Sequence, residues 1–145
     1  MITIIQRVTE ASVTVDGNVI GKIEKGILAL VAVEKMDTST IAERLLERIL
    51  NYRIFADAND KMNLSLHDIE GGLLLVPQFT LAANTNKGNR PSFASAASPE
   101  FGHEMFVYLQ KHAAHIFENV QFGEFGADMK VALINDGPVT FTLKV

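Results

Sequence analysis

The stretch Ile27 to Val33 reads Ile-Leu-Ala-Leu-Val-Ala-Val, with Gly26 in front of it and no polar interruption. A short apolar run of this kind, opened by glycine, is a strand expected to be buried on both faces. It constrains the fold more than any other stretch of the chain, and it is far too short to span a bilayer. The remaining strand signals arrange themselves around it. Ile2 to Val8 is β-rich, and Ala11 to Val15 and Val19 to Glu24 flank Asp16-Gly17, a hairpin turn in which glycine accepts positive φ. Tyr52 to Phe55 reads as a strand leading into the polar turn Asp57 to Asp60. Gly71-Gly72 precedes a strand over Leu73 to Leu81. Two last strands, Lys130 to Asn135 and Val139 to Val145, are predicted to be broken by Asp136-Gly137-Pro138.

Two helices interrupt the strands. Asp37, Thr38 and Ser39 are capping candidates for the first, and Ile41, Ala42, Leu45, Leu46 and Ile49 form its apolar face. Glu43, Arg44, Glu47 and Arg48 fall opposite and read as a solvated face and nothing more. Ser98-Pro99 opens the second, cap residue then proline at the first helical position. Phe101, Met105, Tyr108, Leu109 and Ile116 give it a stripe. Many strands with two helices predict an α/β fold, layered mixed β-sheets with two main helices packed on one side.

A chain of 145 residues is expected to be one domain, residues 1–145. At 48% hydrophobic and 21% charged it is a globular composition. Cysteine is absent, which removes disulfides, thiol catalysis and thiolate metal sites and fits a reducing compartment. No signal peptide is legible, so the cytoplasm is the expected location. The formal net charge of -4 counts against a protein lying along a nucleic-acid backbone, which needs many Lys and Arg contacts. It leaves room for one that grips a single end of an RNA.

The catalytic signatures that sequence most readily betrays are absent: no nucleophile elbow, no His-Glu-x-x-His, no phosphate loop, no dinucleotide fingerprint. His112 and His115 stand at metal-ligand spacing on the second helix, yet no third ligand is apparent and no metal is expected. His67 and His103 have no evident partner. Gln78-Phe79-Thr80 sits at the end of the Leu73 strand before a polar loop, where function gathers more often than in strand middles. The plain alternative is that Phe79 is core and Thr80 a good strand former. Gly137-Pro138 reads as a tight turn, with a cis bond possible in about 5–6% of such pairs.

Seven stretches, in order from end to end, carry a resemblance: Gln6-Arg7-Val8, Ala11 to Val15, Lys61 to Ser65, Gln78 to Leu81, Arg90 to Phe93, Phe125 to Val131 and Asn135 to Thr140. Together they identify the chain as similar to the bacterial D-aminoacyl-tRNA deacylases, also called D-tyrosyl-tRNA deacylases. The resemblance implies a homodimer with its active site at the subunit interface. It implies a cis Gly137-Pro138 that projects into the partner's pocket and excludes L-amino acids. Gln78, Phe79, Thr80 and Met129 would take the terminal adenosine and aminoacyl group of a charged tRNA, with Arg7 supporting the Gly-Pro segment. No cofactor, membrane or DNA partner is implied. Pro77 stands where relatives carry serine, which leaves no hydroxyl there. The following loop keeps Lys87 and Arg90 but has Asn86 and Asn89 where relatives are often more basic. Two other readings stand beside this one. A similar fold could edit a noncognate L-aminoacyl-tRNA, which the intact Gly137-Pro138 opposes. A non-catalytic nucleic-acid-binding module is opposed by the acidic balance.

Overall fold

The computed structural model describes all residues, Met1–Val145. In chain order the elements are β1 (Ile2–Val15), β2 (Asn18–Ile23), β3 (Gly26–Ala32), α1 (Ser39–Asn51), β4 (Phe55–Ala56), β5 (Met62–Leu64), β6 (Gly72–Pro77), a single 3-10 turn (Phe79–Ala82), α2 (Pro99–Ile116), β7 (Val120–Phe122) and β8 (Lys130–Lys144). Strands run in the order β2-β1-β3-β6-β7, with β8 paired along β1. β4 and β5 form a separate two-stranded sheet. The pairs made by β1 are antiparallel, whereas β3–β6 and β6–β7 are parallel. Parallel neighbours need a long return path, and α1 and α2 lie on the two returns.

β3 is the buried centre that its composition predicts. Ile27, Ala29 and Val31 point into one cluster with Leu45, Leu46 and Ile49 of α1 and Phe106 and Leu109 of α2. Leu28 points the other way, into a cluster with Val8, Val13, Ile23, Leu74 and Val76. Both helices therefore cover one face, and the sheet covers the other by curling on itself. Gly21 records that curl: a Cβ there would meet the Phe122 carbonyl oxygen at 2.8 Å, so β2 passes too close to β7 for any side chain.

Several boundaries differ from expectation. β1 is one strand, because Thr9 and Glu10 point outward yet stay alongside β8 through two irregularities of register. Tyr52 to Ile54 are not strand; only Phe55–Ala56 pair, with β5. β6 stops at Pro77 because β3, its parallel partner, ends one residue past the Val31↔Pro77 pair. Asp136-Gly137-Pro138 does not break the last strand, which runs on through a register shift opposite Arg7. Thr38 is the cap chosen from three candidates for α1, and Ser98 caps α2 with Pro99 following. Ile116 leaves the α2 stripe and is 43% exposed. The charged face of α1 also does more than meet water. Glu43 accepts the Tyr108 hydroxyl, which pushes that phenol's pKa up, and Arg48 Nη1 donates to the Lys144 carbonyl at 2.9 Å.

The chain ends meet beside α1. The Met1 ammonium lies 2.6 Å from Asp37 Oδ1 and 3.1 Å from both Glu34 Oε2 and the Val145 carbonyl oxygen. Lys144 Nζ reaches Glu34 Oε1 at 3.0 Å. Burial opposes ionisation of Glu34, but the hydrogen bonds from Lys144 and the Met1 ammonium outweigh it and hold the carboxyl below its ordinary 4.5. No helix is long and apolar enough to cross a membrane.

Candidate functional site

The parallel strands β3 and β6 end side by side, and a cavity of about 500 Å³ opens at their carboxyl ends. Crevices at this position are where open α/β sheets take ligands. Val31 and Val76 of the strands and Val33, just past β3, floor it, Gly102 and Phe106 of α2 form one wall, and Phe125 and Met129 another. Gln78 and Phe79 stand at its rim. The volume lies within the range of small-molecule sites, and the lining is mostly apolar with a few polar groups, as such sites are.

Local bonding explains the rim. The Gln78 N–H donates to the Val31 carbonyl at 2.7 Å, which carries the β3–β6 ladder one residue past Pro77. The chain then tightens into one turn, closed by Leu81 N–H to Gln78 O at 3.2 Å and Ala83 N–H to Thr80 O at 3.1 Å. The first N–H groups of a helical turn have no acceptor inside it. Those of Phe79 and Thr80 are such groups, beside the cavity. The Thr80 hydroxyl accepts from Gln78 Nε2 at 2.5 Å and is exposed; it does not line the cavity. Pro77 costs the sheet nothing. Its neighbour Gln78 turns its N–H toward β3, so position 77 faces the β7 side, where β7 has ended at Phe122. Met129 is held there by its sulfur, 3.3 Å from the Glu124 N–H.

The expected residues divide into two groups. Gln78, Phe79 and Met129 meet at the cavity with Thr80 alongside. Arg7, Gly137 and Pro138 do not line it. They lie together on β1 and β8. Arg7 Nε donates to the Asp136 carbonyl at 2.8 Å and Nη1 to the Ile54 carbonyl at 2.7 Å. The Gly137-Pro138 bond is cis, and both residues are exposed. Gly137 has φ +143°, and a Cβ there would meet Val139 Cγ2 at 2.7 Å and Arg7 Nη2 at 3.1 Å, so only glycine fits.

Asn135 is a residue that sequence reasoning did not single out. Its Oδ1 accepts the Val139 N–H at 2.6 Å and its Nδ2 donates to Thr140 Oγ1 at 2.9 Å. It clasps the chain on both sides of Gly137-Pro138. The signal available was weak: asparagine is a frequent turn residue because its side chain bonds nearby backbone. The histidines find aromatic company. His112 stacks on Tyr108, His67 meets Phe117 edge-on and His103 meets Phe125 edge-on.

The family model for D-Tyr-tRNA(Tyr) deacylase matches residues 4–144. The D-aminoacyl-tRNA deacylase of Colwellia psychrerythraea is 54% identical over 145 residues, covering 100% of both chains. A solved structure described as c-Myc DNA Unwinding Element Binding Protein is similar with a TM-score of 0.95 at 36% identity, covering 100% of this chain and 99% of that one. A second, described as a probable eukaryotic D-amino acid tRNA deacylase, has a TM-score of 0.83 at 16% identity over 99% and 98% of the two chains, a likeness of fold alone.

Proposed function

Because the chain belongs to the D-Tyr-tRNA(Tyr) deacylase family, we propose that it hydrolyses the ester of D-aminoacyl-tRNA, releasing D-amino acid and free tRNA, and so proofreads chirality in translation. The full-length identity to a D-aminoacyl-tRNA deacylase carries this reading. The enzyme is a hydrolase whose partner is aminoacyl-tRNA. Because its substrate belongs to translation, we place it in the cytoplasm.

The proposed chemistry is positioning plus electrostatics. An aminoacyl ester is activated already, so water attacks it with modest help. Charge develops on the carbonyl oxygen in the transition state, and the N–H groups of Phe79 and Thr80 are the donors aimed to receive it. Thr80 is not the nucleophile in this scheme. Its hydroxyl is bonded to the Gln78 amide, which cannot take a proton, and an unactivated hydroxyl attacks poorly. Gln78 orients, and Met129 packs the pocket wall.

The selector comes from a second copy of the chain. Gly137 and Pro138 are absent from their own chain's cavity lining yet are exposed and braced by Arg7 and Asn135, ready to enter another's. β8 supports a homodimer: it pairs on one edge only, with β1, and exposes Ile134 and Phe141. An L side chain would occupy the space that the selector fills, whereas a D-amino acid places hydrogen there. Glycine has hydrogen in both places, so exclusion cannot reject it, and a missing apolar group is worth only about 1–3 kcal/mol. Glycyl-tRNA is therefore hydrolysed too. The test charges one tRNA body in turn with D-alanine, glycine and L-alanine. Release from the first two and not the third is expected. Preferential release of L-alanine would make the protein an L-editing enzyme, and binding without any release would make it a nucleic-acid-binding module. Glycine behaving like L-alanine would overturn exclusion as the selection rule.

A further inference from the structure

From Gly71 to Pro99 the chain contains no Asp or Glu, although it has 17 in all and a net charge of -4. The charges of this stretch are Lys87 and Arg90, both exposed. Two phenylalanines project from it into solvent. Phe79 is 56% exposed and Phe93 42%, with ring centroids 5.2 Å apart at an interplanar angle of 48°. Phe79 stands at the cavity rim, whereas Phe93 lies outside the lining, so the pair leads from the cavity outward.

The backbone under Phe93 is fixed. Ser92 and Asn84 exchange N–H to carbonyl bonds of 3.1 and 2.7 Å. Ser95 Oγ donates to the Ala82 carbonyl at 2.5 Å, and the Ala96 N–H donates to the Phe93 carbonyl at 3.1 Å. Exposed aromatic rings on a braced backbone, in a stretch whose only charges are cations, are the composition of a single-strand nucleic-acid surface. Bases stack on the rings and phosphates meet the cations. On an otherwise acidic chain this stretch is complementary to a polyanion.

Resting on the reading above, we infer that Phe93, with Phe79, forms a stacking platform for the unpaired acceptor-strand nucleotides preceding the terminal adenosine, with Lys87 and Arg90 against their phosphates. The cavity then holds the aminoacyl end while the platform fixes the direction from which the RNA arrives.

The experiment compares two substrates, a D-aminoacyl ester of adenosine, which reaches only the cavity, and the same ester on a cytidine-cytidine-adenosine trinucleotide. In the wild type the trinucleotide has the higher kcat/KM. Phe93→Ala is expected to lower the trinucleotide-to-adenosine ratio of kcat/KM by on the order of tenfold, and Phe93→Tyr to restore it. Lys87→Ala with Arg90→Ala should flatten the salt dependence for the trinucleotide. An unchanged ratio in Phe93→Ala overturns the platform, as does a change in sedimentation that makes Phe93 a subunit contact. If the wild type cleaves neither ester, the deacylase reading fails separately. Fluorescence titration of the uncharged trinucleotide then decides the platform: weaker binding by Phe93→Ala supports it, and equal binding overturns it.

Discussion

Replacing Asn135 by alanine removes a clasp without touching the substrate pocket of its own chain. Two bonds are lost: the partly buried one from the Val139 N–H at 2.6 Å, and the exposed one to Thr140 Oγ1 at 2.9 Å. Hydrogen bonds contribute about 0.5–1.5 kcal/mol net, with exposed ones at the low end, so the pair is worth about 1–2 kcal/mol. Arg7 still holds the Asp136 carbonyl, so the strand remains in place while the Gly137-Pro138 tip gains freedom. If tip position decides handedness, that energy comes out of the discrimination. At about 1.4 kcal/mol per factor of ten, the D-to-L ratio of kcat/KM should fall roughly 5- to 30-fold. Most of the change should appear as new activity on L-aminoacyl-tRNA. The assay measures both enantiomers on one tRNA body, alongside a thermal melt. Asn135→Asp keeps the Val139 acceptor and should keep most of the ratio. A destabilised Asn135→Ala protein with an unchanged ratio would refute the reasoning, because the clasp would then serve the fold and not the selector.

Sedimentation at assay concentration should find a dimer, and a fully active monomer would exclude a selector supplied by a second subunit. Thr80→Ala should keep most of the activity; an acyl-enzyme trapped on Thr80, or a loss of about a thousandfold, would show that the hydroxyl attacks. Stability should depend on Glu34 at acid pH. Its folded-state pKa is depressed, so the contribution is present above the ordinary 4.5 and disappears as pH falls through the lower folded value. Denaturant melts of wild type and Glu34→Gln at neutral pH and below 4.5 should converge in acid, and parallel profiles would assign the acid loss to other groups.

Periodicity and composition reach as far as elements that bury one face or both. α1 and its apolar face follow from Ala42, Leu45, Leu46 and Ile49, and β3 from its unbroken run. They fail where a partner far along the chain decides. Thr80 and Leu81 are good strand formers, yet β6 ends before them because β3 has no more residues to offer. Asp136-Gly137-Pro138 reads as a break, yet Arg7, 129 positions away from Asp136, holds it in line. Of the residues expected at the site, Gln78, Phe79 and Met129 converge on one cavity. Arg7, Gly137 and Pro138 are assembled elsewhere on the same molecule. The family motifs named those residues; only the fold separates them into a cavity lining and an exposed segment of β8. Asn135 escaped because its bonds within four or five residues look like ordinary turn chemistry until the tip between them is seen.

The carboxylate-free stretch from Gly71 to Pro99 also has a kinetic consequence. The rest of the chain holds 11 of the 13 Lys and Arg but all 17 Asp and Glu, so it is net negative and disfavours a polyanion, whereas this stretch carries cations alone. Long-range attraction is small on a net-negative protein, so encounters are not accelerated as they are for basic proteins, and screening at physiological salt confines the favourable field to roughly 8 Å. A grip that rests on two surface cations and two rings is expected to be weak, with a short residence time. For an enzyme that must inspect a pool consisting overwhelmingly of correctly charged tRNA, rapid release of every unreactive visitor raises throughput, and a tighter hold would turn correct substrates into inhibitors.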